Sequence, residues 1–218
     1  MTIDAKICGI KTAETAQAVA DAGASHIGFN FYPPSPRSLT IAQGRSLAPY
    51  VPKGLIRVGV FVDPIDTLVG DAIKAMDLDM IQLHGSESVA RVDAVKVLFN
   101  KPVIKAIPVA DFKDLESSWQ YRNHADCILF DAKPPKPAPG ETQLPGGTGK
   151  TFDWSLLSLV PPDMDWCLSG GLNPGNVAQA IAETNCRFVD VSSGVEDEPG
   201  VKSPTKIDAF MAAVKEFD

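Results

Sequence analysis

Eight short, almost uninterrupted apolar runs recur along this chain, and most are separated by a stretch with helical spacing. The runs are "AKICGI", "HIGFNF", "IRVGVFV", "MIQLHG", "PVIKAIP", "CILFDA", "WCLSGG" and "RFVDVSSG". Between the first two lies "KTAETAQAVADAG", in which Ala13, Ala16, Val19 and Ala20 share one helical face. Gly23 is placed to end that helix. Asn173-Pro174 and Ser203-Pro204 both read as an N-cap followed by proline at the first helical position. Successive runs lie roughly 20 to 30 residues apart, with one gap near 40, as in a βα array. Runs that are apolar throughout, rather than alternating, belong to a parallel sheet covered on both faces. The 218 residues are enough for one domain with a full core. The fold class expected is therefore α/β, a (β/α)8 TIM barrel forming a single domain over residues 1–218. A doubly wound sheet is the alternative, and the lack of a G-x-G-x-x-G after the first run weakens it.

Bulk properties exclude several classes of partner. A net charge of −7 argues against nucleic acid but leaves room for a small anion at a locally positive site. No apolar run reaches the ~18 residues of a membrane helix. The start "MTIDAKICGI" lacks a basic-then-apolar leader, so no membrane partner and a cytoplasmic location are expected. Cys8, Cys127, Cys167 and Cys186 are widely spaced without a C-x-x-C pair, which reads as reduced thiols. No Cys/His cluster has zinc-ligand spacing, so no metal is expected.

"LPGGTGKT" at 144–151 ends like a nucleotide-binding P-loop, but G-x-x-x-x-G-K-[ST] requires a glycine where Leu144 stands. The preceding "KPPKPAPGETQLP" is also too rich in proline to be the buried strand such a loop follows. Nucleotide binding is not expected.

In a barrel of this kind chemistry gathers at the C-terminal ends of the strands. Those ends are polar here: Cys8-Gly9, Asn30 and "PPSPR", Asp63, His84-Gly85, Lys105, Asp131, Ser169-Gly170-Gly171, and Asp190 with Ser192-Ser193-Gly194. The glycines and serines of the last two loops suit a phosphate, since bare backbone N–H groups and hydroxyls can surround it. A lone cysteine in an apolar run is usually inert packing, yet Cys8 closes the first strand and Asp131 the sixth, and a thiol and a carboxyl across one pocket would make an acid–base pair. Arg37 stands on a loop stiffened by three prolines, and its natural ligand is a carboxylate held bidentately. Spacing alone leaves His84 either catalytic or a hydrogen-bonded rim residue.

Taken in order, "KICGI", "GFNFYPPSPR", "VGVFV", "IQLHG", "FDA", "GGTGKTFDW", "LSGGLNPGNV" and "VDVSSGVE" with "PGVKS" make a pattern spanning nearly the whole chain. It resembles that of the phosphoribosylanthranilate isomerases of tryptophan biosynthesis. The resemblance implies Cys8 as general base and Asp131 as general acid. It implies that Arg37 binds the anthranilate carboxylate and that Gly170, Gly171, Ser192, Ser193 and Gly194 hold the phosphate, with Asp190 and His84 near the substrate. The stretch between Asp131 and the glycine-rich loop is longer and richer in proline than the family pattern.

The implied reaction is an Amadori rearrangement of a phosphorylated aminoaldose to an aminoketose. An acid opens the ribose ring to an iminium, and a base then removes the C2′ proton. The acid must hold its proton in a buried or electron-rich setting, and the thiol must ionise beside positive charge or donors. Because the iminium is itself the electron sink, no cofactor is implied. The partner is a small phosphorylated substrate, and the chain is expected as monomer or homodimer. Two alternatives remain. A related sugar-phosphate isomerase of histidine synthesis carries aspartate on strand one, where Cys8 stands. A non-catalytic phosphate-binding protein needs neither Cys8 nor Asp131. The glycine-rich loop at 144–151, with Lys150, is expected to act as a lid, and "FDW" is expected to open the next helix.

Overall fold

A computed structural model describes residues 2–133, 149 and 151–217 of the chain. The strands are β1 Asp4–Cys8, β2 His26–Asn30, β3 Ile56–Phe61, β4 Met80–Leu83, β5 Val103–Val109, β6 Cys127–Ala132, β7 Trp166–Leu168 and β8 Phe188–Val191. They pair in sequence order as a closed barrel, each strand parallel to the next. β8 returns to β1 with Asp190 opposite Lys6. The (β/α)8 expectation holds.

The helices between strands are α1 Ala13–Asp21, α2 Ile41–Leu47, α3 Asp66–Met76, α4 Val89–Phe99 and α5 Phe112–Ser117, with α6 Val177–Thr184 and α7 Pro204–Lys215 following β7 and β8. Thr12 caps α1 through its side chain, and Gly23, at φ 79°, follows its end as read from the sequence. Ser203-Pro204 opens α7 as expected. Two expectations need correction. Asn173 does not cap α6: its Oδ1 accepts the Gly175 N–H at 2.8 Å in a local turn, and the cap position belongs to Asn176. Residues from "FDW" onward form a 3₁₀ helix, Trp154–Leu159, rather than an α-helix, with Asp153 accepting the Ser155 N–H. Pro161-Pro162 follow at once and leave no room for further turns. The expected lid, with Lys150, lies outside the described residues.

Side chains alternate across each strand, so every second residue enters the barrel. Val58, Ile104, Ala106, Cys127, Leu129 and Cys167 form one apolar cluster there, with Met80 and Phe188 against it. Ile7, Ile27, Ile81, Ile128, Phe130 and Val189 belong to a second, larger cluster with helix residues such as Val19, Val69 and Phe210. This division positions the site. Two residues further along the same inward rows stand Gln82, Asp131, Ser169 and Asp190, a polar layer above the apolar one.

Candidate active site

The polar layer opens into a pocket at the C-terminal ends of the strands. Cys8, Arg37, His84, Asp131, Gly170, Gly171, Asp190, Ser192 and Ser193 all line it, together with Asn30, Gln82 and Ser169. The sequence-based site therefore converges. Two of the polar strand ends do not join it. Asp63 accepts the Ser86 N–H at 2.9 Å and ties the β3 and β4 loops together. Lys105 lies inside β5 rather than at its end, and its Nζ meets Glu87 at 2.8 Å and the Gly85 carbonyl at 2.7 Å. Both groups are buried, so this pair closes the end of β4 and has no donor left for a ligand.

Cys8 ends β1 facing inward, and the lack of a side chain at Gly28 makes room for it. A Cβ at Gly28 would meet Cys8 Sγ at 2.9 Å and Lys6 Cε at 3.1 Å. Lys6, one inward position below, is wholly buried and pairs with Asp190 at 2.7 Å. Burial opposes its charge, but Asp190 more than offsets that and keeps the ammonium protonated. Ser169 Oγ donates to the second Asp190 oxygen at 3.1 Å. Around Cys8, burial pushes the thiol up, while the positive charges of Lys6 and Lys202 pull the other way without cancelling it. Cys127, deeper in the barrel, is pushed up to about 12, mainly by burial.

Asp131 ends β6 on the same pocket. Its Oδ1 accepts the Ala132 N–H at 2.9 Å, and its Oδ2 lies 3.3 Å from His84 Nε2. The other ring nitrogen of His84 lies 2.9 Å from the Gln82 amide nitrogen.

Arg37 does hold a carboxylate bidentately, but that carboxylate belongs to the protein. Nε and Nη2 donate to the two oxygens of Glu196 at 2.8 Å each. Glu196 opens a hairpin after β8, made of β9 Glu196–Glu198 and β10 Val201–Lys202. Lys202 from its second arm shares Glu196 Oε1 at 2.7 Å and donates to the Ser192 carbonyl at 2.8 Å. Burial would raise the Glu196 carboxyl, but Arg37 and Lys202 outweigh it and hold the group below its ordinary value. Arg37 also lines the pocket, and its Nη1 takes no part in the two bonds to Glu196.

The loops after β7 and β8 are built for close backbone approach. Gly170 and Gly171 lie at φ 86° and 68°, and a Cβ on Gly170 would stand 2.4 Å from the Ala132 nitrogen. Gly194 does not line the pocket; a Cβ there would fall 1.9 Å from the Leu172 carbonyl oxygen, so glycine lets the two loops touch. Asn176 braces the first loop, donating to the Gly171 carbonyl at 3.0 Å and accepting the Asn173 N–H at 2.8 Å. Ser193–Val195 form a single 3₁₀ turn whose first N–H groups have no partner within the turn.

Lys6, Gln82, Glu196 and Lys202 were not singled out from the sequence. Lys6 and Gln82 had a signal, since each lies two residues before a recognised inward residue, Cys8 and His84. Glu196 and Lys202 had none beyond their motif. Among the described residues, no group of three or more His, Cys, Asp or Glu is placed to hold a metal ion.

Residues 5–213 match the family described as N-(5′-phosphoribosyl)anthranilate isomerase. A relative of that name from Paracoccus denitrificans is 48% identical over 212 residues, 97% of each chain. A solved structure of phosphoribosyl anthranilate isomerase with reduced 1-(o-carboxyphenylamino)-1-deoxyribulose 5-phosphate superposes with a TM-score of 0.84, at 34% identity over 99% of this chain and 100% of that one. A Thermotoga maritima structure, described as monomers of a dimeric phosphoribosylanthranilate isomerase, gives the same TM-score, identity and coverage.

Proposed function

The chain belongs to the N-(5′-phosphoribosyl)anthranilate isomerase family, which carries out the isomerase step of tryptophan biosynthesis, and from that premise we propose how its own residues divide the reaction. Asp131 is the acid. It gives its proton to the ribose ring oxygen as the C1′–O bond breaks and the anthranilate nitrogen lone pair forms the iminium. Cys8, as thiolate, takes the proton from C2′, and the electrons of that bond pass through C1′ to the iminium nitrogen. The resulting enaminol becomes the ketone by moving its hydroxyl proton to C1′.

The observation that supports this division best is the placement of Cys8 and Asp131. They stand on non-adjacent strands, β1 and β6, and face one pocket. Lys6 and Lys202 are the cations that favour the thiolate. Held between carboxylate and phosphate contacts, the ribose is kept where both groups reach it. Arg37 binds the anthranilate carboxylate through its Nη1 edge, while Glu196 fixes the other edge. The N–H groups and hydroxyls of the Gly170–Gly171 and Ser192–Gly194 loops hold the phosphate, with Asp190 and His84 close to the ribose.

Among the described residues no helix is long and apolar enough to cross a membrane. We extend the reading to a cytoplasmic enzyme acting as monomer or homodimer on a small phosphorylated substrate. Purified protein mixed with freshly made N-(5′-phosphoribosyl)anthranilate is expected to yield the aminoketose without added metal or cofactor. Failure to form it, or equal turnover of the aminoaldose of histidine synthesis, would overturn the reading.

A further inference from the structure

We propose that Lys202 is a positioning residue for the phosphate end of the substrate: it holds the Ser192 carbonyl out of the pocket, so that the peptide between Ser192 and Ser193 presents its N–H to the ligand. The inference deepens the reading of the loop after β8 as a phosphate loop and rests on it.

Lys202 stands on β10, in the hairpin that follows β8, and its side chain is buried. Its Nζ donates to the Ser192 carbonyl at 2.8 Å, to Ser192 Oγ at 3.2 Å and to Glu196 Oε1 at 2.7 Å. Ser192 Oγ gives its own hydrogen to the Cys8 carbonyl, so toward Lys202 it is an acceptor. Each hydrogen of the ammonium therefore meets an acceptor, and a neutral amine would leave one of these unserved. Burial pulls the ammonium down from its ordinary value, and Glu196 opposes that pull. Spent in this way on the protein, Nζ has no hydrogen for a ligand. It acts through Ser192.

The backbone at Ser192 shows how. β8 ends at Val191, and Ser192 leaves the extended conformation. Its ψ of −80° turns the peptide that follows roughly half a revolution from its direction in a parallel strand. A trans peptide is planar and carries its C=O and N–H on opposite edges. Ser192 and Ser193 line the pocket, whereas Lys202 is buried and takes no part in the lining. With the carbonyl edge pinned on Lys202, the N–H edge of Ser193 is turned away from the hairpin and toward the pocket.

The sign of that peptide dipole decides what the loop can bind. An N–H donates to a phosphate oxygen and gains from its charge, while a carbonyl oxygen in the same place repels it. Turned over, the peptide would offer the oxygen. It would also strip a buried ammonium of an acceptor, and a buried polar group left unpaired is costly. Lys202 thus keeps the loop in the orientation that suits an anion before any anion arrives.

The peptide is read by ¹H–¹⁵N spectra of the protein titrated with inorganic phosphate. In the wild type the Ser193 amide proton is expected to move downfield as phosphate saturates, as an N–H does on donating to an anion. Lys202→Met nearly keeps the length of the side chain and removes its donors. In that variant the Kd for inorganic phosphate should rise about 10-fold, the worth of one charge-assisted hydrogen bond. The Ser193 response should be lost there, while the Gly170 and Gly171 amides still respond. Binding at the wild-type Kd in the variant overturns the proposal. Loss of the Gly170 and Gly171 responses along with that of Ser193 would make Lys202 a general prop of the fold and overturns it too. So does a wild-type titration in which phosphate moves the Gly170 and Gly171 amides but not Ser193. That result needs no variant and leaves the phosphate site standing. If bound phosphate moves the amides of neither loop, the phosphate reading itself falls, and the proposal with it.

Discussion

Arg37 and Glu196, 159 positions apart in the chain, meet through two parallel hydrogen bonds of 2.8 Å, Nε to Oε1 and Nη2 to Oε2. The pair is buried, and Lys202 joins it from the second arm of the β9–β10 hairpin. From Lys202 the contacts run on to Ser192, whose Oγ donates to the Cys8 carbonyl at 3.1 Å. One carboxylate thus ties the arginine loop after β2 to the phosphate loop and to the strand that bears the thiol.

Replacing Glu196 by glutamine leaves two buried cations short of charge and should cost about 3 kcal/mol of stability at pH 7, as when one member of a buried pair is lost. The folded carboxyl is held below its ordinary 4.5, so its contribution is complete above that value and lost as pH falls through the folded one. Urea unfolding of wild type and Glu196→Gln should therefore differ most near neutrality and converge below about pH 4.5. A gap that stays constant with pH would mean that the charge on Glu196 does not hold the network.

Arg37→Met should weaken binding of the aminoketose product about 10-fold or more, the worth of a charge-assisted hydrogen bond. Ribulose phosphate and inorganic phosphate, which lack the anthranilate carboxylate, should lose far less. Calorimetric titration of all three ligands checks this. Equal losses would make Arg37 a source of general positive potential.

Asp131→Asn and Cys8→Ala should each lower kcat roughly 10²- to 10⁴-fold, the usual worth of a positioned acid or base. Binding of the product should change little in either variant, because neither group is assigned to an anionic end of the substrate. Steady-state kinetics together with product titration separates the two effects. Near-normal kcat in one variant would remove that residue from the mechanism.

His26, at the entry to β2 and packed against Phe188, has its ring pushed down to about 4 by burial. Between pH 6.5 and 4 the unfolded chain binds the proton more readily, so stability is full above 6.5 and declines as pH falls toward 4. From pH 7 to pH 5 this should remove about 2 kcal/mol, and His26→Gln should flatten that part of the profile. An unchanged slope in the variant would show that another group governs the acid limb.

The sequence by itself determined the barrel, its order of strands and the rim on which the chemistry lies. Apolar runs, helical spacing and punctuation such as Gly23 and Ser203-Pro204 are local properties, and each constrains the backbone within a few residues of itself. The polar strand ends were legible for the same reason, since Cys8, His84, Asp131 and Asp190 interrupt apolar runs at their C-terminal limits. Local signals also misled. Asn173-Pro174 carries the letters of a helix cap, but the Asn173 side chain closes a local turn on the Gly175 N–H and the cap position of α6 falls to Asn176. Lys105 read as a strand end because strand length is not written in composition. Closure of the barrel decided the rest. It sets Lys6 beside Asp190 across 184 residues, Arg37 against Glu196, and His84 against Asp131 from strands that do not touch. A buried charge is tolerable only where an opposite charge meets it, and that partner is fixed by which strands curve around the same axis.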